Sequence, residues 1–216
     1  VVSAGGFTAV PVVRVAAKLG IPTLAHQLDW LPGLTNRFLA DRATKITSSF
    51  IYQKPPFGSR IHVEPIATPV RFALSGLPAR SQALRQLGLS IDAPTVFVMG
   101  GGTGAQALNE LVQASWKTWR ARGWQVIHLT GLGKEGEAIQ DPGVVQKALC
   151  LPEEMRVLYG AADVLVTRAG IGAISEAVHL RKPMILVPLP KSPQGANARV
   201  FAQAEAALVI PESTPD

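Results

Sequence analysis

The chain has 216 residues, 47% of them hydrophobic and 17% charged, a composition that builds a packed core and excludes a disordered chain. Its formal net charge of +6 favours anionic partners, but the basic residues are scattered, which argues against a nucleic-acid surface and for a phosphate-bearing ligand. A single cysteine, Cys150, excludes an internal disulfide; no apolar run is long enough to cross a bilayer, and no secretory leader is visible.

In chain order, Val1-Val2 reads as a strand end that enters the glycine turn Gly5-Gly6-Phe7-Thr8, followed by a helix from Ala9 to Leu19. Then come a strand from Ile21 to His26, a helix from Leu34 to Arg42, and short strands at Lys45 to Ser49 and Ile61 to Glu64. The proline-bearing stretch from Pro65 to Pro94, with an Arg/Gln-rich helical patch and few long apolar runs, reads as a connection between two lobes. From Thr95 the alternation restarts with a strand to Met99. A helix follows, with Leu108, Val112, Trp116 and Trp119 on one face. Strands are predicted at Gln125 to Leu129, Ala148 to Leu151, Asp163 to Val166 and Pro183 to Leu189, then a helix from Asn197 to Ala206 and a last strand at Leu208 to Ile210. Cys150 is expected to be a buried core thiol in its strand. This rhythm predicts parallel sheets with helices on both faces, in two Rossmann-like lobes of which the first is incomplete.

The most informative stretch is Thr167-Arg168-Ala169-Gly170-Ile171-Gly172-Ala173-Ile174-Ser175-Glu176, where an apolar strand meets a glycine turn and an amphipathic segment. That order aims unpaired backbone N–H groups of a helix N-terminus beyond the strand's carboxyl end, a site that attracts anions. Glu176, one turn in, would repel phosphate but suits a neighbouring sugar diol. The pair points to a nucleoside diphosphate.

Gly100-Gly101-Gly102-Thr103-Gly104-Ala105 is a second glycine turn between strand and helix, suited to close backbone approach and to φ > 0. Read as a dinucleotide fingerprint, it requires an acid at the end of the next strand. That strand ends instead in Thr130-Gly131, against a nicotinamide or flavin cofactor. Arg71, where the chain leaves the first lobe, would clamp a diphosphate or form a surface ion pair. Gln194 and Asn197 would read sugar hydroxyls, with a helix cap as the other reading of Asn197. His26 would face a ligand, although a lone histidine is more often structural. No histidine or cysteine spacing suits a metal.

Taken together, Gly5-Gly6-Phe7-Thr8, His26-Gln27-Leu28-Asp29, Gly33 to Ala40, Ala67-Thr68-Pro69-Val70-Arg71, Gly100 to Asn109, Tyr159 to Gly170, Ile174-Ser175-Glu176, Val187 to Pro190 and Gln194 to Ala198 resemble, in order, the MurG family. The resemblance implies a peripheral membrane enzyme of GT-B fold on the cytoplasmic face of the bacterial cell membrane. It would transfer GlcNAc from UDP-GlcNAc to lipid I, the lipid-linked muramyl-pentapeptide acceptor, with inversion, no cofactor and no bound metal. The membrane surface it meets is anionic. The alternatives are a related GT-B enzyme with another lipid acceptor and a non-catalytic nucleotide-sugar-binding remnant.

Carried over by position, Glu176 would hold the ribose hydroxyls. Ile171, Gly172, Ala173, Ile174 and Ser175 would present amides to the α-phosphate, with Arg168 in the preceding turn. Arg71 would meet the departing diphosphate, Pro152 would pack on uracil, and Gln194, with Asn197 nearby, would read the GlcNAc ring. Asp29 corresponds to an asparagine at the lobe interface and Gly102 to a serine, whose hydroxyl Thr103 would supply. His26 and Asp29 are the candidates for the catalytic base.

The family's H-E-Q-N is His26-Gln27-Leu28-Asp29 here, and its opening glycine loop G-G-T-G-G-H has no counterpart. The expected organisation is residues 1–72 as the later part of the acceptor-side lobe, 73–93 as the connection, and 94–216 as the donor lobe, shortened at its end. The chain reads as an internal portion of such an enzyme or a diverged relative.

Overall fold

The structure, a computed structural model, describes residues 1–70, 76–101 and 105–212. It divides into two compact units, Val1–Pro69 and Val70–Asp216.

In the first unit β1 (Val2–Ser3), β2 (Leu24–Gln27), β3 (Lys45–Ser48) and β4 (Val63–Pro65) form a parallel sheet in chain order. Helices α1 (Ala9–Lys18) and α2 (Leu34–Leu39) connect the first three strands and bury Val13, Ala16 and Leu39, while Ala25, Ala40 and Ile46 form an apolar cluster with Phe57, Ile61 and Val63 packed alongside.

The second unit holds β5 (Thr95–Met99), β6 (Gln125–Leu129), β7 (Val144–Lys147), β8 (Val164–Thr167), β9 (Met184–Leu186) and β10 (Leu208–Val209). All neighbours are parallel, in the order β10-β9-β8-β5-β6-β7. Every residue of β5 is buried, as a central strand covered on both faces requires. Val96 and Val98 pack with Leu108 and Val112 of α4 (Gln106–Ala121). On the other face the Phe97 ring meets Tyr159 of α5 (Pro152–Ala161) edge-on. Helices α6 (Ile171–His179) and α7 (Gln194–Gln203) complete the alternation. The predicted α/β class with parallel sheets is what forms.

Several boundaries differ from the sequence reading. The strand expected at Ala148 to Leu151 is β7, at Val144–Lys147. The β-branched pair Val144-Val145 takes the ladder, and Pro152 at the first position of α5 turns residues 148–151 into its lead-in. Cys150 is therefore a free, half-buried loop thiol, pushed up in pKa chiefly by burial.

Within the stretch read as a connection, α3 (Arg80–Gln86) buries Ala83 and Leu84 completely and packs against α5. Arg80 forms a two-pronged ion pair with Asp163, Nε to Oδ1 at 2.8 Å and Nη2 to Oδ2 at 2.7 Å, and Thr95 N also donates to Oδ2. Asp163 thus stands just outside β8 and ties α3 to the start of β5. Helix α7 begins at Gln194, earlier than the predicted Asn197, because Pro193 fits the position ahead of the first helical residue.

Candidate functional site

Strands β5 and β8 are neighbours, with Met99 opposite Thr167. From β5 the sheet continues through β6 to β7, and from β8 through β9 to β10. Strand order therefore reverses between them, and a doubly wound sheet opens a crevice for ligands at that point, beyond the carboxyl ends. The two glycine-bearing turns singled out in the sequence both leave from these strand ends. Gly101, in the first turn, has φ +85°, the left-handed region glycine enters without strain.

The second turn opens α6 at Gly170, and among the described residues no side chain caps this helix. Ile174 N donates to Gly170 O at 3.1 Å, the first bond of the helix ladder. The amides of Ile171, Gly172 and Ala173 lie ahead of it and have no intrahelical acceptor. Of the five predicted amides these three point beyond the helix, while those of Ile174 and Ser175 belong to its ladder. A side chain at Gly170 or Gly172 would meet open space, and neither residue has a positive φ. Neither packing nor backbone strain calls for glycine there; open space beside the amides is what glycine preserves.

Glu176, one turn into α6, is buried, and its Oε2 accepts from the Tyr159 hydroxyl at 2.7 Å. Pro152 stands exposed at the first position of α5, next to Leu151, whose side is open to solvent. The Glu154 carboxylate accepts from Leu151 N at 2.9 Å and from Lys147 Nζ at 2.6 Å. These donors, Lys147 first, hold the Glu154 carboxyl below its ordinary range.

The remaining predicted residues of this unit, among those described, each make contacts that hold the frame. Arg168 is buried; its Nη1 donates to Val187 O at 3.2 Å and to the Glu212 carboxylate, joining the ends of β8 and β9. Asn197 is fully buried and its Nδ2 donates to Ala169 O at 3.1 Å, so it anchors the turn before α6. Gln194 Oε1 accepts from Leu189 N at 3.0 Å and closes the turn after β9. Arg71, Gly102 and Thr103 lie outside the described residues. Among the described residues no group of histidine, cysteine and carboxylate side chains would hold a metal ion.

His26 and Asp29 belong to the first unit. The His26 ring is buried with Nδ1 2.8 Å from Thr47 Oγ1 and Nε2 3.1 Å from Ser49 Oγ. Burial lowers its pKa, and both nitrogens are held by hydroxyls at the carboxyl end of β3. Gln27, where the family pattern has a glutamate, accepts from Asn36 Nδ2 at 2.7 Å and donates to the carbonyls of Asp29 and Leu31. Asp29 sits in a half-buried turn shaped by that amide.

Sequence reasoning missed two features. Tyr159 was readable only as a polar tip in the apolar run Val157-Leu158-Tyr159-Gly160-Ala161, a residue whose hydroxyl must find a partner when buried. Thr167 Oγ1, fully buried at the end of β8, has no partner among the described residues.

A doubly wound sheet with a helix N-terminus at its reversal point is an arrangement in which nucleotide phosphates are commonly held. The chain belongs to glycosyltransferase family 28, whose C-terminal domain matches residues 95–215. It is 33% identical over 216 residues to the UDP-N-acetylglucosamine–N-acetylmuramyl-(pentapeptide) pyrophosphoryl-undecaprenol N-acetylglucosamine transferase of Christiangramia forsetii, a match covering 98% of this chain. The chain spans 59% of that relative's length.

The crystal structure of Acinetobacter baumannii MurG superposes with a TM-score of 0.72 at 25% identity, over 100% of this chain and 60% of that one. A glycosyltransferase of kitacinnamycin gives 0.70 at 16% identity over 96% and 62%, a likeness of fold. The resemblance to the MurG family therefore runs through both units, and the fold class is GT-B.

Proposed function

We propose that the second unit binds the uridine diphosphate of UDP-GlcNAc, with pyrophosphate oxygens on the amides of Ile171, Gly172 and Ala173 and the ribose diol on Glu176. Pro152 packs on uracil, and Gln194 meets the sugar ring. The whole enzyme transfers GlcNAc to lipid I to form lipid II in peptidoglycan synthesis, as a peripheral protein at the cytoplasmic face of the bacterial membrane. The name of the Christiangramia relative and the family match support this reading. Among the described residues no helix is long and apolar enough to cross a membrane.

The observation that carries the proposal is the uncapped start of α6 at the strand-order reversal, with open space beside Gly170 and Gly172. In an inverting displacement the acceptor hydroxyl attacks the anomeric carbon, the bond from that carbon to the β-phosphate oxygen breaks, and negative charge passes to the departing UDP. Fixed amide donors stabilise that charge without reorganising. The hydroxyl proton needs a base; His26 and Asp29 are the candidates, and both nitrogens of the His26 ring are already held by hydroxyls.

Equilibrium titration with UDP-GlcNAc in the presence of a chelator tests the reading. Binding at least about tenfold tighter than that of ADP-glucose is expected, a difference of about 1.4 kcal/mol. Equal affinity for the two sugar nucleotides, or no binding, would overturn it.

A further inference from the structure

Tyr159 is wholly buried, its ring edge-on to Phe97 with centroids 5.6 Å apart. Packing alone would be served by phenylalanine. The hydroxyl, however, donates to Glu176 Oε2 at 2.7 Å, and Met99 Sδ lies 3.7 Å from the Tyr159 hydroxyl oxygen. A phenol donating to a carboxylate makes a charge-assisted bond. The ring is clamped between β5 and α5, so this donor has almost no freedom and fixes the rotation of the carboxylate it holds. Glu176 sits on α6, one turn from the open amides. The bond between α5 and α6 therefore sets how that carboxylate is presented to whatever those amides bind.

We propose that Tyr159 is a positioning residue: through Glu176 it orients the carboxylate toward the ribose diol and so makes the site select ribonucleotides over 2′-deoxyribonucleotides. The proposal rests on the UDP site above. A fixed carboxylate accepts from two vicinal hydroxyls in one geometry, whereas a freely rotating one would adapt to a single hydroxyl and lose the distinction.

The experiment titrates the wild type, Tyr159→Phe and Glu176→Gln with UDP and with 2′-deoxy-UDP, and records a thermal melt of each. The wild type is expected to prefer UDP about tenfold, the size of one hydrogen bond of about 1.4 kcal/mol. Tyr159→Phe should bring the two affinities to within about twofold, mainly by weakening UDP. A variant that melts earlier but keeps the wild-type preference would show Tyr159 to be structural only and overturn the proposal.

If Glu176→Gln also binds UDP as the wild type does, the underlying site assignment is what fails. Should Tyr159→Phe not fold, 3-fluorotyrosine labelling of the two tyrosines gives a second measurement, with Tyr52→Phe assigning the signals. The fluorine resonance at position 159 should move more on saturation with UDP than with 2′-deoxy-UDP. Equal shifts, or none, would overturn the proposal.

Discussion

Glu176 and His128 are both buried polar side chains, yet the two have opposite tasks. Glu176 lies beside open amides; its replacement in Glu176→Ala should weaken UDP binding by about 1.5–3 kcal/mol, the worth of a hydrogen bond to a charged group. Unchanged affinity in calorimetry would remove Glu176 from the site. His128 is the next-to-last residue of β6, with Nε2 3.0 Å from Asn109 Oδ1 and its Nδ1 without a partner among the described residues. Burial lowers its pKa from 6.5 to about 4.

A folded-state pKa below the unfolded one means the unfolded chain takes up the proton first as pH falls. The stabilisation is therefore complete above about pH 6.5 and is lost between there and about pH 4, amounting to roughly 3 kcal/mol. Urea unfolding across that window should show this loss in the wild type and a shallower slope in His128→Gln. Parallel slopes would mean that His128 is not the group responsible. The pattern that singles out Glu176, an acid one turn into a helix after a glycine turn, is local and visible in the sequence, and the structure buries that side chain on α6. The roles of Tyr159, Arg168 and Asn197 are not visible in the sequence, since each is fixed by a partner 17 to 44 residues away.

Among the elements, α6 depends on its neighbours for the shape of its entrance. Asn197 of α7 holds Ala169 O, so Asn197→Ala leaves a buried carbonyl unpaired. It should cost about 1–3 kcal/mol in unfolding free energy and weaken UDP binding as well. Lost stability with intact binding would confine Asn197 to the scaffold.

Helix α5 is held as closely on its other side. A Cβ at Gly160 would lie 3.0 Å from Pro78 O and 3.2 Å from Pro78 Cγ, against backbone that cannot rotate away. Gly160→Ala should therefore destabilise by about 1–3 kcal/mol in a chemical melt; a neutral result would mean that the segment leading into α3 yields. The long helix α4 could be read from periodicity, because it buries one regular face, and strands β5 and β6 from short, mostly apolar runs buried on both faces. Strand β7 was displaced, and helix α3 was read as a helical patch of the connection and not as part of the second unit, since their apolar runs are short and their placement depends on partners distant in sequence, β6 for one and α5 for the other.

At the scale of the molecule, two parallel sheets with separate cores carry the features expected from the glycine turns and the alternation of strand and helix. The six-stranded order in the second unit places the strand-order reversal at the ends of β5 and β8. That long-range fact no local motif contains, and it gives the helix N-terminus its meaning. Family 28 membership accounts for residues 95–215; the similarity to the Christiangramia transferase extends the same reading through the first unit. The most direct test is a crystal of this chain soaked with UDP-GlcNAc. The account predicts pyrophosphate oxygens at about 2.7–3.2 Å from the amide nitrogens of Ile171, Gly172 and Ala173, with the ribose on Glu176. Density for the nucleotide elsewhere, or a side chain of the protein itself seated on those amides, would contradict it.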